Sequence, residues 1–201
     1  MGTNSKTEKT IRMIRTEDIP AVLEIYRPYI ESTVITFEYE APGLPEFAER
    51  VSDTLRQFPW LVCEMNGQVV GYAYASSFHE RSAYAWDCEL SVYVAQEFRR
   101  FGIGSALYRA LLPILQAQGY YQAYAVIAVP NEGSQSFHRR FGFQPVGCHP
   151  KSGYKFNRWC DVEYQALVLH EFDTPERPPC SICELSAEKV RALCNAAVGA
   201  S

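Results

Sequence analysis

No stretch of the 201-residue chain reaches the ~18 consecutive apolar residues that a membrane-spanning helix needs. None is therefore expected. The opening segment, Met1 to Thr10, lacks the apolar core of a signal peptide. Residues 1–9 read as a disordered lead-in, with no membrane partner. Basic charge is in short supply: 19 Lys and Arg against 23 Asp and Glu leave a net charge of −4. That argues against a protein whose main task is coating nucleic acid, although a local basic pocket for phosphates stays open. The cysteines lack the pattern of a bridged scaffold. There are 7, an odd number, and Cys63, Cys88, Cys148 and Cys160 sit in apolar segments. They are expected as buried free thiols of a reducing cytoplasm. Cys180-x-x-Cys183, with Cys194 and His170, lacks the full ligand spacing of a zinc site, so no metal is expected. Internal repeats are absent as well.

What is there is a well-supplied core. Hydrophobic residues make up 47% and aromatics 13% of the chain, enough for one folded domain. Thr10 to Arg15 alternates as a strand. Thr16 is placed to cap a helix whose apolar stripe runs Ile19, Leu23, Tyr26, Ile30. Phe47, Val51, Leu55 and Phe58 mark a second helix. Trp60 to Met65 and Val69 to Ser77 flank Asn66-Gly67, a type I′ hairpin signal. Phe78 to Trp86 is a polar-aromatic loop. Asp87 to Val94 is a strand, and Ile103 to Gln118 a long helix closed by Gly119. Ala123 to Val129 reads as a strand buried on both faces. Ser134 to Phe141 is a short helix. Phe143 to His149 and Asp161 to Leu169 are the last strands, joined by a Gly153-Tyr154-Lys155 loop. After Phe172 the composition changes, so residues 172–201 are set apart as a tail with a marginal helix, Leu185 to Val198. Hairpins mixed with helical crossovers predict an α/β mixed sheet of about seven strands, with helices on both faces.

The most informative stretch follows Val94. Arg99-Arg100-Phe101-Gly102-Ile103-Gly104-Ser105 joins a strand to a helix. Glycines there admit an anion to the backbone, the free N–H groups of the first helical turn favour phosphate, and the arginines add charged donors. A Walker loop is excluded because no Lys follows Gly104. A dinucleotide fingerprint is excluded because Leu107 stands where a third Gly is needed. Taken alone, Gly-x-Gly is also consistent with a plain structural turn.

Arg99-x-x-Gly102-x-Gly104 after a strand resembles the pyrophosphate-binding motif of the GNAT superfamily of N-acetyltransferases. Asn131-x-x-Ser134 and Phe137-His138-Arg139-Arg140-Phe141-Gly142-Phe143 resemble that family's segment beside the pantetheine arm. Four further segments are similar to the phosphinothricin and methionine sulfone or sulfoximine acetyltransferase subfamily. They are Trp86 to Val94, Val126 to Asn131, Gly153-Tyr154-Lys155 and Trp159 to Val162. The likeness covers about residues 10–171 and implies a GNAT-like fold.

That resemblance implies acetyl-CoA as cosubstrate, held by Val92, Tyr93, Val94, Arg99, Arg100, Phe101, Gly102, Ile103, Gly104, Ser105, Asn131 and Ser134. It implies direct attack of a small amino-acid amine on the thioester. The strand of Val92 to Val94 is expected to splay from its parallel neighbour and lend an N–H to the acetyl oxygen. An amine must lose a proton before it attacks. Glu89, an acid in an apolar strand, is the candidate base, and alone it also reads as a solvated or arginine-paired carboxylate. His138 is the candidate acid or a packing histidine. Arg81 is placed to clamp a substrate carboxylate, with Phe37, Glu38 and Tyr84 as further substrate contacts and Trp86, Tyr154 and Trp159 as pocket walls. The subfamily's habit implies a homodimer. An acyl-CoA-binding module without catalysis, or acetylation of a protein amine, are the alternatives.

Overall fold

The computed structural model describes residues 9–199. Apart from Lys9, the expected lead-in lies outside the described residues. Seven strands form one sheet: β1 (Lys9–Met13), β2 (Trp60–Met65), β3 (Gln68–Ser77), β4 (Asp87–Val94), β5 (Gln122–Val129), β6 (Gln144–Lys155) and β7 (Arg158–Val168). Their order is β1-β2-β3-β4-β5-β7-β6, antiparallel except for β4 beside β5. The helices are α1 (Ile19–Ser32), α2 (Leu44–Thr54), α3 (Ile103–Gln118), α4 (Glu132–Arg140) and α5 (Ala187–Gly199).

The sheet buries both faces. Under α1 and α2 lies an aromatic layer of Tyr26, Tyr29, Phe47, Trp60, Tyr72 and Tyr93. Under α3 lies an aliphatic layer around Leu107, Leu111 and Leu115. α3 starts from Gly102 at φ 71° and stops at Gly119 at φ 97°, the left-handed conformation glycine adopts without a Cβ penalty. Asn66 and Gly67, at φ 51° and 79°, supply the two positive angles of the β2–β3 turn. β5 exposes Tyr124 and Val126 in part, so the double burial expected of it is incomplete.

Several local expectations change. Thr16 caps nothing; residues Thr16–Asp18 form a 3-10 turn ahead of α1. Asp18 anchors it instead, accepting bonds from the Arg12 guanidinium at 2.6 and 2.9 Å and from the Arg15 N–H at 2.8 Å. The expected Gly153-Tyr154-Lys155 loop is strand. The turn falls two residues later at Phe156 and Asn157, both at positive φ without a glycine. Cys148 is exposed on β6 instead of buried, because residues 144–152 of this edge strand are exposed on both faces. The segment set apart as a tail carries α5, whose Val190, Cys194 and Ala197 complete the α3 core.

Asp18 yields the first prediction. Its side chain is 6% exposed. Burial alone would raise its pKa, but the bonds from Arg12 and Arg15 hold it below the ordinary 3.8. A carboxylate lowered on folding stabilises above its unfolded pKa, and that contribution fades as pH falls through the folded one. Asp18→Asn is expected to lose about 2 kcal/mol at pH 7 by urea unfolding. The gap should narrow in acid, where the wild type also loses the charge. A gap independent of pH would refute the ion pair as its source.

Candidate active site

The turn before α3 builds the floor of a groove. Arg100 at φ 69° and Gly102 at φ 71° fold the chain back so that the first N–H groups of α3 point outward. Lys9 ties the turn down by donating to the Phe101 carbonyl at 3.0 Å. A Cβ on Gly102 would meet only the Lys9 Nζ, at 3.8 Å, so the space above it is open. All the predicted cofactor residues except Tyr93 and Phe101 line one cavity here, of about 440 Å³. Tyr93 packs its ring into the aromatic core, and Phe101 is 57% exposed outside the groove. Tyr29, Ile35, Phe98, Gly133, Phe137 and Arg140 complete the lining. Arg99 also lies over the Tyr29 ring, 5.3 Å from its centre.

Next to the turn the sheet forks. β4 and β5 pair only at Asp87–Gln122, Cys88–Ala123 and Glu89–Tyr124. Beyond Glu89 they separate. Ala95 N–H bonds to Val70 on the β3 side. By the alternation of an antiparallel pair, Tyr93 and Ser91 aim their backbone groups at β3, whereas Val94, Val92 and Leu90 aim theirs at the fork. Val94 is not free to bind anything else: its carbonyl accepts from the Tyr29 hydroxyl at 2.6 Å, and its N–H donates to that oxygen at 3.2 Å. Of the expected Val92 to Val94 donors, Val92 is the one whose N–H faces the gap with no strand opposite. This gap and this donor give the groove what a linear thiol arm requires: an opening between strands and a backbone group along it.

Glu89 stands where the fork begins. It lines a second cavity of about 290 Å³ together with Tyr26, Phe37, Tyr74, Ser91 and His138. The two cavities share Ile35, Val92 and Ser134, so the groove adjoins the Glu89 pocket. Burial pushes the Glu89 carboxyl above its ordinary 4.5, as expected of an acid in a low-dielectric wall. Glu89 makes no ion pair among the described residues.

His138 is differently placed from a proton donor. Its Nδ1 lies 2.8 Å from the Ser134 carbonyl, which only accepts, so Nδ1 carries the hydrogen. Nε2 then accepts from the Tyr108 hydroxyl at 2.9 Å. Burial lowers its pKa, partly offset by the Ser134 bond. The ring is a neutral, fixed tautomer, a poor acid for a leaving thiolate. Asn131 caps α4, its Oδ1 accepting from Ser134 N–H at 3.1 Å, while also lining the groove.

The predicted substrate residues divide. Phe37 lines the Glu89 pocket. Glu38 stands behind it, accepting from the Tyr26 hydroxyl and from Arg50, each at 2.9 Å. Arg81 and Tyr84 do not reach the pocket; with His79 and Glu80 they line a separate cavity. Phe78 stacks on Tyr124 at 3.9 Å and holds the β3–β4 loop to that side. Trp86 is directed away too, its Nε1 donating to the Arg177 carbonyl, and Trp159 is 62% exposed. Sequence reasoning missed Tyr26, Tyr29 and Tyr74, whose spacing signals only a core face; their hydroxyls carry no periodic signature. Among the described residues no group of three His, Cys, Asp or Glu side chains is placed to hold a metal, and no helix is long and apolar enough to cross a membrane.

Comparison with known proteins agrees with this geometry. Residues 11–163 match the acetyltransferase (GNAT) domain family. The phosphinothricin N-acetyltransferase of Streptomyces viridochromogenes is 36% identical over 84% of this chain and 91% of its own length. The L-methionine sulfoximine/L-methionine sulfone acetyltransferase of Pseudomonas aeruginosa is 32% identical over 80% of this chain and 94% of its own. A phosphinothricin acetyltransferase of the GNAT superfamily from Sinorhizobium meliloti, solved with acetyl-CoA, superposes with a TM-score of 0.81 at 34% identity, covering 85% of this chain and 95% of that one.

Proposed function

Since the chain belongs to the GNAT family and is an acetyl-CoA-dependent N-acetyltransferase, we propose that its acceptor is the amine of a small amino acid or analogue, with Glu89 as general base. The observation that carries the reading is the junction of the two cavities at Ile35, Val92 and Ser134, with the half-buried Glu89 carboxylate on the acceptor side. The relatives named for phosphinothricin and for methionine sulfoximine or sulfone support an acceptor of that size and type. A pocket of about 290 Å³ suits a single amino acid better than a protein segment, which would call for an open groove.

Acetyl-CoA supplies an activated acetyl group and a thiol leaving group. The first turn of α3, with Arg99 and Arg100, holds its pyrophosphate. The Val92 N–H donates to the acetyl oxygen, where charge develops during attack. An acceptor ammonium loses two protons on becoming an amide. Glu89 takes one and passes it to solvent; the other ends on the departing thiol. The raised Glu89 pKa brings it closer to the operating range of a base. The pocket lining holds no lysine or arginine to pair with a substrate carboxylate.

Two companion readings are part of this proposal. A cytoplasmic location is supported by five cysteines packed as buried free thiols. A homodimer is supported by β6, an edge strand exposed on both faces with Val146 outward, the kind of edge that a second copy covers.

The test is a panel of amino acids and their sulfone, sulfoximine and phosphinate analogues, with release of free thiol as the signal. The expected result is acceptor-dependent thiol release for small α-amines and none for a peptide amine. Coenzyme A binding without release for any amine would point instead to a binding module.

A further inference from the structure

The Gly153-Tyr154-Lys155 segment is not absorbed by the acetyl-transfer chemistry, yet each of its residues touches one loop. That loop, residues 33–43, joins α1 to α2 and supplies Thr36 and Phe37 to the acceptor pocket. Lys155 is 1% exposed and forms no ion pair among the described residues. Its ammonium donates to the Ile30 carbonyl at 2.6 Å and the Thr36 carbonyl at 2.9 Å, and it lies 5.0 Å from the centre of the Phe156 ring. The Tyr154 carbonyl accepts from the Tyr39 hydroxyl. At Gly153 the space of a Cβ is already filled: the Phe37 ring would lie 2.2 Å from it.

We propose that this end of the β6–β7 hairpin is a latch that fixes the 33–43 loop, with Lys155 as a positioning residue that sets acceptor selectivity. The inference rests on the Glu89 pocket being the acceptor site. A buried ammonium is costly unless every donor finds a partner, so its placement between two carbonyls holds the end of α1 and the start of the loop together. Burial works against the charge and lowers the Lys155 pKa, while Glu38 opposes that shift. Gly153 lets Phe37 sit back against the strand; a methyl group there would force the ring to move, and its other side faces the acceptor.

Three variants test this: Lys155→Met, which keeps the length and drops the donors, Gly153→Ala, and Tyr39→Phe, which removes one exposed bond and leaves the core intact. Lys155→Met and Gly153→Ala are expected to raise the acceptor KM at least tenfold and to reorder the ranking of small against bulkier acceptors. The acetyl-CoA KM should hold within about twofold. Tyr39→Phe is expected to move the acceptor KM the same way by a smaller factor. Hydrogen exchange should quicken in residues 33–43 of each variant and not elsewhere. Exchange unchanged at 33–43 overturns the latch. Faster exchange there with acceptor KM and ranking unmoved overturns its role in selectivity, as does a parallel loss in both substrates. If the wild type releases no thiol with any amine of the panel, the acceptor-site reading fails on its own, and the exchange experiment still reports on the latch.

Discussion

Glu89→Gln is expected to lower kcat/KM for the acceptor by about 10²- to 10³-fold at pH 7, the range of a lost general base, while sparing the acetyl-CoA KM. The substitution keeps shape and removes only the charge, so the comparison isolates proton transfer. Its pH dependence has a definite sign. Burial holds the wild-type carboxyl above 4.5, so the wild-type rate rises through that raised pKa as the base becomes available. The Gln variant lacks this limb and follows the fraction of free amine, which for an α-amine grows toward pH ~8. The two profiles should therefore converge as pH rises. Stability moves the other way. An acid whose pKa is raised on folding destabilises the fold once it is ionised, so removing its charge at pH 7 should leave Tm unchanged or higher. A rate loss with a lower Tm would indicate damage, and an unchanged rate would remove Glu89 as base.

The position of Glu89 also shows how far the residues could be read without coordinates. The sheet with helices on both faces was legible because its signals are local and periodic: the Asn66-Gly67 turn, the apolar stripe of α3, the glycine at either end of it. The turn at Gly102 and Gly104 and the start of α4 are each continuous in sequence, so short-range spacing describes that part of the first cavity, whereas Tyr29 and Ile35 join it from elsewhere in the chain. The acceptor side was read less well. Its walls come from α1, the 33–43 loop, β3, β4, β5, α4 and β7, and no sequence period relates them. Tyr29 shows the limit: its place on the core stripe is visible, but not that its hydroxyl occupies the Val94 backbone and leaves Val92 as the donor at the fork. Arg81 shows a different limit. Residue type suggested a carboxylate clamp, and the stacking of Phe78 on Tyr124 carries the loop to a different cavity. His138 was ambiguous in sequence because one ring serves as acid or as packing; the Ser134 carbonyl and Tyr108 hydroxyl decide the tautomer. The turn at Phe156 and Asn157 escaped because it uses positive φ without glycine.

Gly102→Val is expected to raise the acetyl-CoA KM by about 10- to 100-fold, equivalent to one or two charge-assisted hydrogen bonds at about 1.5–3 kcal/mol each. Two effects combine. At φ 71° a β-branched residue is strained by about 1–3 kcal/mol, and the turn relieves this by rotating its N–H groups away from the groove. The added side chain also enters the space in which the pyrophosphate would rest, since only the Lys9 Nζ lies near, at 3.8 Å. Gly102→Ala carries most of the backbone strain with less bulk and should give a smaller increase. The discriminating substrate is a truncated acetyl thioester, S-acetylpantetheine, which has no pyrophosphate. Wild type and Gly102→Val should use it equally well, because the fork and Glu89 are untouched. If the variant loses the truncated substrate as severely as acetyl-CoA, the turn is not acting on the phosphates, and its glycine serves the fold alone. Equal affinity of a folded variant for intact acetyl-CoA would equally remove the turn from the binding site. A selective loss restores the physical sequence of cause: a left-handed residue ahead of α3 exposes its N–H groups, those groups take the diphosphate, and the arm that follows is laid into the gap where β4 and β5 part.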